Sequence, residues 1–234
     1  MPRPGVNRNR VIAGAILGGL CLSLGVGGFA DAPRAAPLAW RESVREFARE
    51  HFRHPAWGYS HSMRDYELAR QLAASDHVRL DDDVLFAAAY LHDMAAFAPW
   101  AKPKVDHADE AASIVGTVLT ERGFPMQKLA AVQGAIRTHM YDRDPVGAEA
   151  LYLHDADALD WLGAIGVARI LALADRNGGK PTPVDVMPML EENLSKVPVR
   201  VLSPAGQALV APRRAELKQF LDDLRRESDD LHTL

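Results

Sequence analysis

Residues 84–95 read VLFAAAYLHDMA, an unbroken apolar run that closes on His92 and Asp93. Val84, Leu85, Ala88 and Leu91 recur at helical spacing, which predicts a helix with a packed face. Asp81, Asp82 and Asp83 stand just before it. Carboxylates there accept hydrogen bonds from the free amides of a helix N-terminus and meet the positive end of its dipole. An imidazole and a carboxylate at the far end of such a helix are drawn into an apolar setting, at a cost in free energy unless hydrogen bonds or a cation compensate. A metal ion is the economical compensation. Alone, the dipeptide fits a satisfied surface pair better, so partners elsewhere in the chain decide.

Working outward, the chain reads as successive amphipathic helices. Residues 35–52 put Val44, Phe47 and Phe52 near one face with Arg and Glu opposite, and Pro55 and Gly58 break the pattern. Residues 59–75 form a second helix with Met63, Leu68 and Leu72 facing inward, His61 in the first turn and Asp65 one turn later. Beyond the His-Asp pair lies a Pro-containing loop with Trp100, Lys102, Lys104 and His107, then a helix over 108–122. Pro125 suits the first position of the next helix, where Leu129, Val132 and Ile136 form the stripe and His139 closes it. Residues 148–175 hold a second pair, His154-Asp155, then Asp157 and Asp160. This segment reads as one central helix with Gly163 and Gly166 inside it. Glycine is unfavourable there by roughly 1 kcal/mol relative to Ala, which points to close helix contact. Helices near 186–196 and over 204–227 complete an all-α reading, with no alternating β-pattern and no repeat.

The length of 234 residues and ordinary apolar and charged fractions fit one sizeable domain after a leader. Arg3, Arg8 and Arg10, the apolar run 11–30 and the A-x-A site Ala30-Asp31-Ala32 describe an export signal over residues 1–32. The domain then spans 33–234 and lies outside the cytoplasm, in the periplasm or beyond. An uncleaved anchor is the alternative, because the run is nearly long enough to span a bilayer; membrane contact is expected only through that segment. Three Arg against one Asp give the leader +2, so the formal charge of −4 becomes −6 without it, and no basic face for nucleic acid is indicated. The only cysteine, Cys21, falls in the leader, which excludes disulfides and cysteine metal sites from the processed chain.

The order His61, His92-Asp93, Asp157 is H…HD…D, and in it the chain resembles the HD-domain metal-dependent phosphohydrolases. Tyr59-Ser60-His61-Ser62-Met63-Arg64, Tyr90-Leu91-His92-Asp93, Ala135-Ile136-Arg137-Thr138-His139 and Asp155-Ala156-Asp157-Ala158-Leu159-Asp160 are similar to the bacterial YedJ/YpgQ-type branch, over residues 40–224. The resemblance implies His61, His92, Asp93 and Asp157 as metal ligands, a mixed N/O shell that suits Mn, Fe, Co, Zn or Mg and leaves positions open for water and substrate. Asn193 stands near where that branch often carries a lysine. His107 and His139 lie in the order that some dinuclear HD proteins use for additional ligands; binding phosphate or orienting a ligand is the other role for either. His154 is read as a packed core histidine.

The expected activity is hydrolysis of a phosphate ester or anhydride, a nucleotide or related small molecule, by metal-activated water. Asp93 is ligand and neighbour of the metal, and Asp109 or Glu110 is the candidate base or acid. Lys104, Lys102, Arg64 and Arg137 are the candidates for phosphate contact. The alternatives are an HD-type hydratase of a cyanamide-like compound and a metal-retaining module without turnover. Converging Lys or Arg at the metal would favour phosphate chemistry, and a small neutral cavity the hydratase.

Overall fold

The computed structural model describes residues 36–234, and among these the backbone forms nine α-helices joined by loops and short 3₁₀ turns, with no strand. The expected leader, its cleavage site and Cys21 lie outside the described residues. The helices are α1 (Ala36–His51), α2 (Tyr59–Ser75), α3 (Asp82–Leu91), α4 (His107–Glu121), α5 (Leu129–Arg137), α6 (Ala148–Asp160), α7 (Gly163–Leu171), α8 (Met187–Lys196) and α9 (Pro204–Glu227). No described helix is long and apolar enough to cross a membrane.

The apolar run becomes α3, and every residue from Val84 to Leu91 is buried, as expected of a helix without a polar face. Its start stays at the surface. Asp81 caps it by accepting from the amides of Asp83 and Val84, while Arg41 reaches Asp82 and Asp83 at 2.6 and 2.5 Å and Lys128 reaches Asp81 and Asp83 at 2.7 and 2.9 Å. Around α3 pack α1, α2, α5 and α6, with α2 laid along α6. Leu85, Phe86, Leu91, Met94, Leu119, Ile136, Leu153 and Leu159 fill the centre.

Three expectations are corrected. Met63 is 41% exposed, so the inward face of α2 runs through His61, Asp65, Tyr66, Ala69, Leu72 and Ala73 instead. The segment from 148 is not one helix. It stops at Asp160 and restarts at Gly163, whose φ of +65° only glycine adopts without strain, and a Cβ at Gly166 would stand 2.3 Å from the Trp161 carbonyl oxygen. The tight approach at Gly166 is therefore to the chain's own turn, whereas at Gly163 the expected helix contact is present, since a Cβ there would stand 2.8 Å from Glu216 Oε2 and 3.4 Å from Arg213 Cβ on α9. Pro125 likewise precedes a 3₁₀ turn, Met126–Lys128, rather than opening α5.

The last helix is tied back by two carboxylates. Asp155 accepts from the amides of Leu202 and Ser203 at 3.0 and 2.6 Å, and Asp76, just past α2, accepts from the amide of Ala205 and from the Tyr152 hydroxyl. His154 is buried with Nδ1 2.9 Å from Asp155, which agrees with its reading as a packed residue.

Candidate metal centre

The first turn of α2, the end of α3 and the last turn of α6 meet at one buried point. His61 comes from α2, His92 is the C-cap of α3, Asp93 follows it, and Asp157 comes from α6. Nε2 of His61 lies 3.3 Å from Nε2 of His92, 3.2 Å from Oδ1 of Asp157 and 3.6 Å from Oδ2 of Asp93. Nε2 of His92 lies 3.3 Å from the same Asp93 oxygen. The other Asp93 oxygen faces Nε2 of His107 at 3.3 Å and of His139 at 3.6 Å. All four residues of the H…HD…D order thus converge, and His107 and His139 join them across Asp93.

Hydrogen bonds at the far side of each ring fix what these nitrogens can do. The carbonyl oxygens of Ala89 and Ile136 can only accept, so Nδ1 of His92 (2.8 Å) and of His139 (2.6 Å) must carry a proton. Nδ1 of His61 donates to Asp160 at 2.9 Å. Asp160 in turn is gripped by Arg64 at 2.8 Å and by Arg169 at 3.0 Å, and despite its burial its carboxyl is held below the usual range by His61, Arg64 and Arg169. In neutral His61, His92 and His139 Nε2 therefore points inward with a bare lone pair, the arrangement by which a second group orients a metal-binding histidine.

Two such lone pairs 3.3 Å apart repel unless a positive charge stands between them. A metal ion or a proton can supply that charge. Burial and, at His61, the Arg169 charge push both rings toward neutrality, but Asp157 and Asp160 at His61 and Asp93 at His92 outweigh them, and both pKa values move up. His107 moves up mainly through its contact with Asp93, whereas burial pulls His139 down. Asp93, against its burial, is held well below the carboxylate range by His92, His107 and His139. The donor set fits a divalent cation: imidazole nitrogens oriented from behind, ionised carboxylates, and a buried carboxyl, Asp65, whose two oxygens have no hydrogen-bond partner.

A pocket of about 300 Å³ opens onto this point, lined by Trp57, Asp93, Ala96, His107, Met140, Asp157 and Trp161. Trp57 is set in place by His54, whose ring stacks on it with centroids 3.6 Å apart and whose Nδ1 accepts from the amides of Ala56 and Trp57. Arg169 is buried over the Trp161 ring, 3.6 Å from its centroid.

The expected phosphate contacts and acid–base groups sit differently. Among the described residues no Lys or Arg lines the pocket. Arg64 is committed to Asp160, Lys102 to Glu110 at 2.6 Å, and Asp109 to Arg143 at 2.9 Å with Arg137 3.9 Å away. Lys104 is exposed on the loop before α4, with φ of +63°. Asn193, on α8, leaves its side-chain nitrogen buried without a partner. Sequence reasoning missed Asp65 as a neighbour of the centre, Asp160 and Arg169 as its support, and Trp57, Met140 and Trp161 as walls. Only Asp65 left a trace, four residues after His61 and so on the same face.

Residues 58–162 match the family described as HD domain. A predicted HD superfamily hydrolase from an uncultured Thermotogales bacterium is 26% identical, covers 80% of this chain and 90% of its own, and superposes with a TM-score of 0.54. YpgQ of Bacillus subtilis, solved in complex with ADP, is 19% identical over 80% of this chain and 97% of its own, TM-score 0.60. An HD-superfamily hydrolase of Bacillus thuringiensis is 20% identical over 81% and 96%, TM-score 0.56. No curated protein matches the chain. The segment that matches the HD domain family, residues 58–162, holds all six of the converging histidines and aspartates.

Proposed function

We propose that the protein is a metal-dependent hydrolase acting on a phosphate ester or anhydride of a nucleotide or related small molecule, with His61, His92, Asp93 and Asp157 holding a divalent cation. The observation that carries the reading is the inward set of bare Nε2 lone pairs and carboxylates, each imidazole fixed from behind. A divalent cation held by these residues would supply an activated water, its pKa lowered from about 15.7 toward about 7, and a Lewis acid for a phosphoryl oxygen. The chain's own residues do the rest. Asp160 holds the His61 ring and its tautomer. Trp57, Met140 and Trp161 keep bulk water from the pocket. His107, 29% exposed in its side chain and with its pKa raised by Asp93, is placed to hold a proton for an anionic substrate or a leaving group. Asp109 and Glu110, each already paired with a cation, are weaker candidates for that task. Lys104, exposed on the loop before α4, is the proposed cationic contact, Arg64 being taken up by Asp160. The nucleotide class is supported by the ADP bound to the fold neighbour YpgQ.

A second reading rests on the wall itself. The pocket is small, largely apolar and free of Lys and Arg among the described residues, which favours hydration of a small neutral carbon-nitrogen compound such as cyanamide. Metal-analysed protein assayed against both substrate classes separates them. Phosphate release in oxygen-18 water should place the label in the phosphate, and Lys104→Ala should lower that turnover with metal content unchanged. Turnover of cyanamide or a nitrile, with none of any phosphate compound, replaces the first reading by the second. In either case His92→Ala should lose bound metal and activity, and His154→Ala should keep its metal; full metal occupancy in His92→Ala would remove the site.

A further inference from the structure

Asp65 is the group that the hydrogen bonds of the fold leave over. Its side chain is fully buried, and neither oxygen has a donor. Oδ2 lies 3.1 Å from Nε2 of His61 and 3.7 Å from Nε2 of His92, the two nitrogens on which Asp93 and Asp157 also converge. Ligand atoms of His61, Asp65, His92 and Asp157 all fall within 4.8 Å of one another. Neither nitrogen can serve Asp65 once the rings are neutral, because the proton of His61 is spent on Asp160 and that of His92 on the Ala89 carbonyl. The neighbouring inward positions of α2 are Tyr66, Ala69 and Leu72, so a valine at 65 would satisfy the packing. An ionised carboxylate in that place without a donor is strongly unfavourable, and a cation removes the penalty.

We propose that Asp65 is a fifth protein ligand, binding through Oδ2 the same cation as His61, His92, Asp93 and Asp157. The inference rests on the metal-site reading above and deepens it. Two imidazoles and three carboxylates form a harder and more crowded set than four ligands. Such a set favours six-coordinate Mn²⁺, Fe²⁺ or Mg²⁺ over tetrahedral Zn²⁺, and a six-coordinate ion would keep one position for water or substrate.

The test is metal binding by the full chain, stripped with a chelator and titrated with Mn²⁺, with Co²⁺ as a visible-absorption probe of coordination number. Asp65→Asn keeps the shape, and Asp65→Val removes the polar group. In both, the Kd for Mn²⁺ should weaken by about 100-fold or more, the preference should move toward Zn²⁺, and the Co²⁺ absorption should intensify as coordination number falls. If the Asn variant does not fold, the Val variant decides. Wild-type Kd values and Co²⁺ spectra in the folded variants would overturn the proposal and leave the four-ligand site standing. A wild type that binds neither ion would take down the site and the fifth ligand together.

Discussion

One carboxylate decides whether His61 can serve as more than a packed core residue. Asp160 takes the Nδ1 proton and is itself held by Arg64 and Arg169, so Nε2 is turned inward. Asp160→Asn should therefore weaken metal binding by about 10- to 100-fold although Asp160 touches no metal. It should also lower stability by about 3 kcal/mol, because Arg169, 3% exposed, loses its carboxylate partner. A chelator competition and a urea melt of the same preparation measure both, and an unchanged Kd would reduce Asp160 to a structural anion. At this scale the sequence was half legible. His61, His92, Asp93 and Asp157 stand out because their residue types and order are unusual on apolar helices. Asp160 and Arg169 do not, since a support role depends on which helices touch. Asp65 was visible one turn after His61, but its place beside His92 exists only once α2 meets α3.

Helix positions follow from periodicity wherever one face is apolar, which is why α2, α3 and α9 were legible nearly to the residue. The break between α6 and α7 was not. Trp161, Leu162, Ile165 and Val167 continue the apolar rhythm across it, and only the backbone at Gly163 interrupts the helix. The mooring of α9 also lay beyond sequence reasoning, since nothing near Asp155 in the chain points to the amides of Leu202 and Ser203. Asp155→Ala should strip the amides of Leu202 and Ser203 of a charged acceptor and cost about 3 kcal/mol, seen as a lower denaturation midpoint, with metal affinity kept within about twofold. A large loss of metal affinity instead would mean that the mooring sets the position of Asp157.

For the molecule as a whole, the all-α architecture was written in the 3.6-residue period and the lack of alternation. The convergence of three distant segments was legible only through resemblance, because no local spacing encodes it. The clustered histidines make stability depend on pH and metal jointly. In the metal-free protein His61, His92 and His107 have raised pKa values, so they contribute stability that is complete below their unfolded value of about 6.5 and is lost as pH climbs through their folded values. Burial lowers His139 and His54, but above about 6.5 these are neutral both folded and unfolded and contribute no slope. The melting temperature of chelated protein should thus fall with rising pH from about 6.5 upward, while metal-loaded protein should hold or gain, because binding requires neutral imidazoles. Parallel curves would contradict the shared role of these rings. The N-terminal reading has its own check. N-terminal sequencing of protein recovered outside the cytoplasm should begin near Pro33; retention of residues 11–30 would indicate an anchor, and a soluble cytoplasmic protein would end both.

The amides of Leu202, Ser203 and Ala205 are locked by Asp155 and Asp76, which sit on α6 and at the end of α2, and those same helices bring Asp157 and His61 together. Deuterium can replace these protons only when the carboxylates let go. Their exchange times act as a clock on the α2–α6 junction, and a cation clamped between His61 and Asp157 should make that clock run slower.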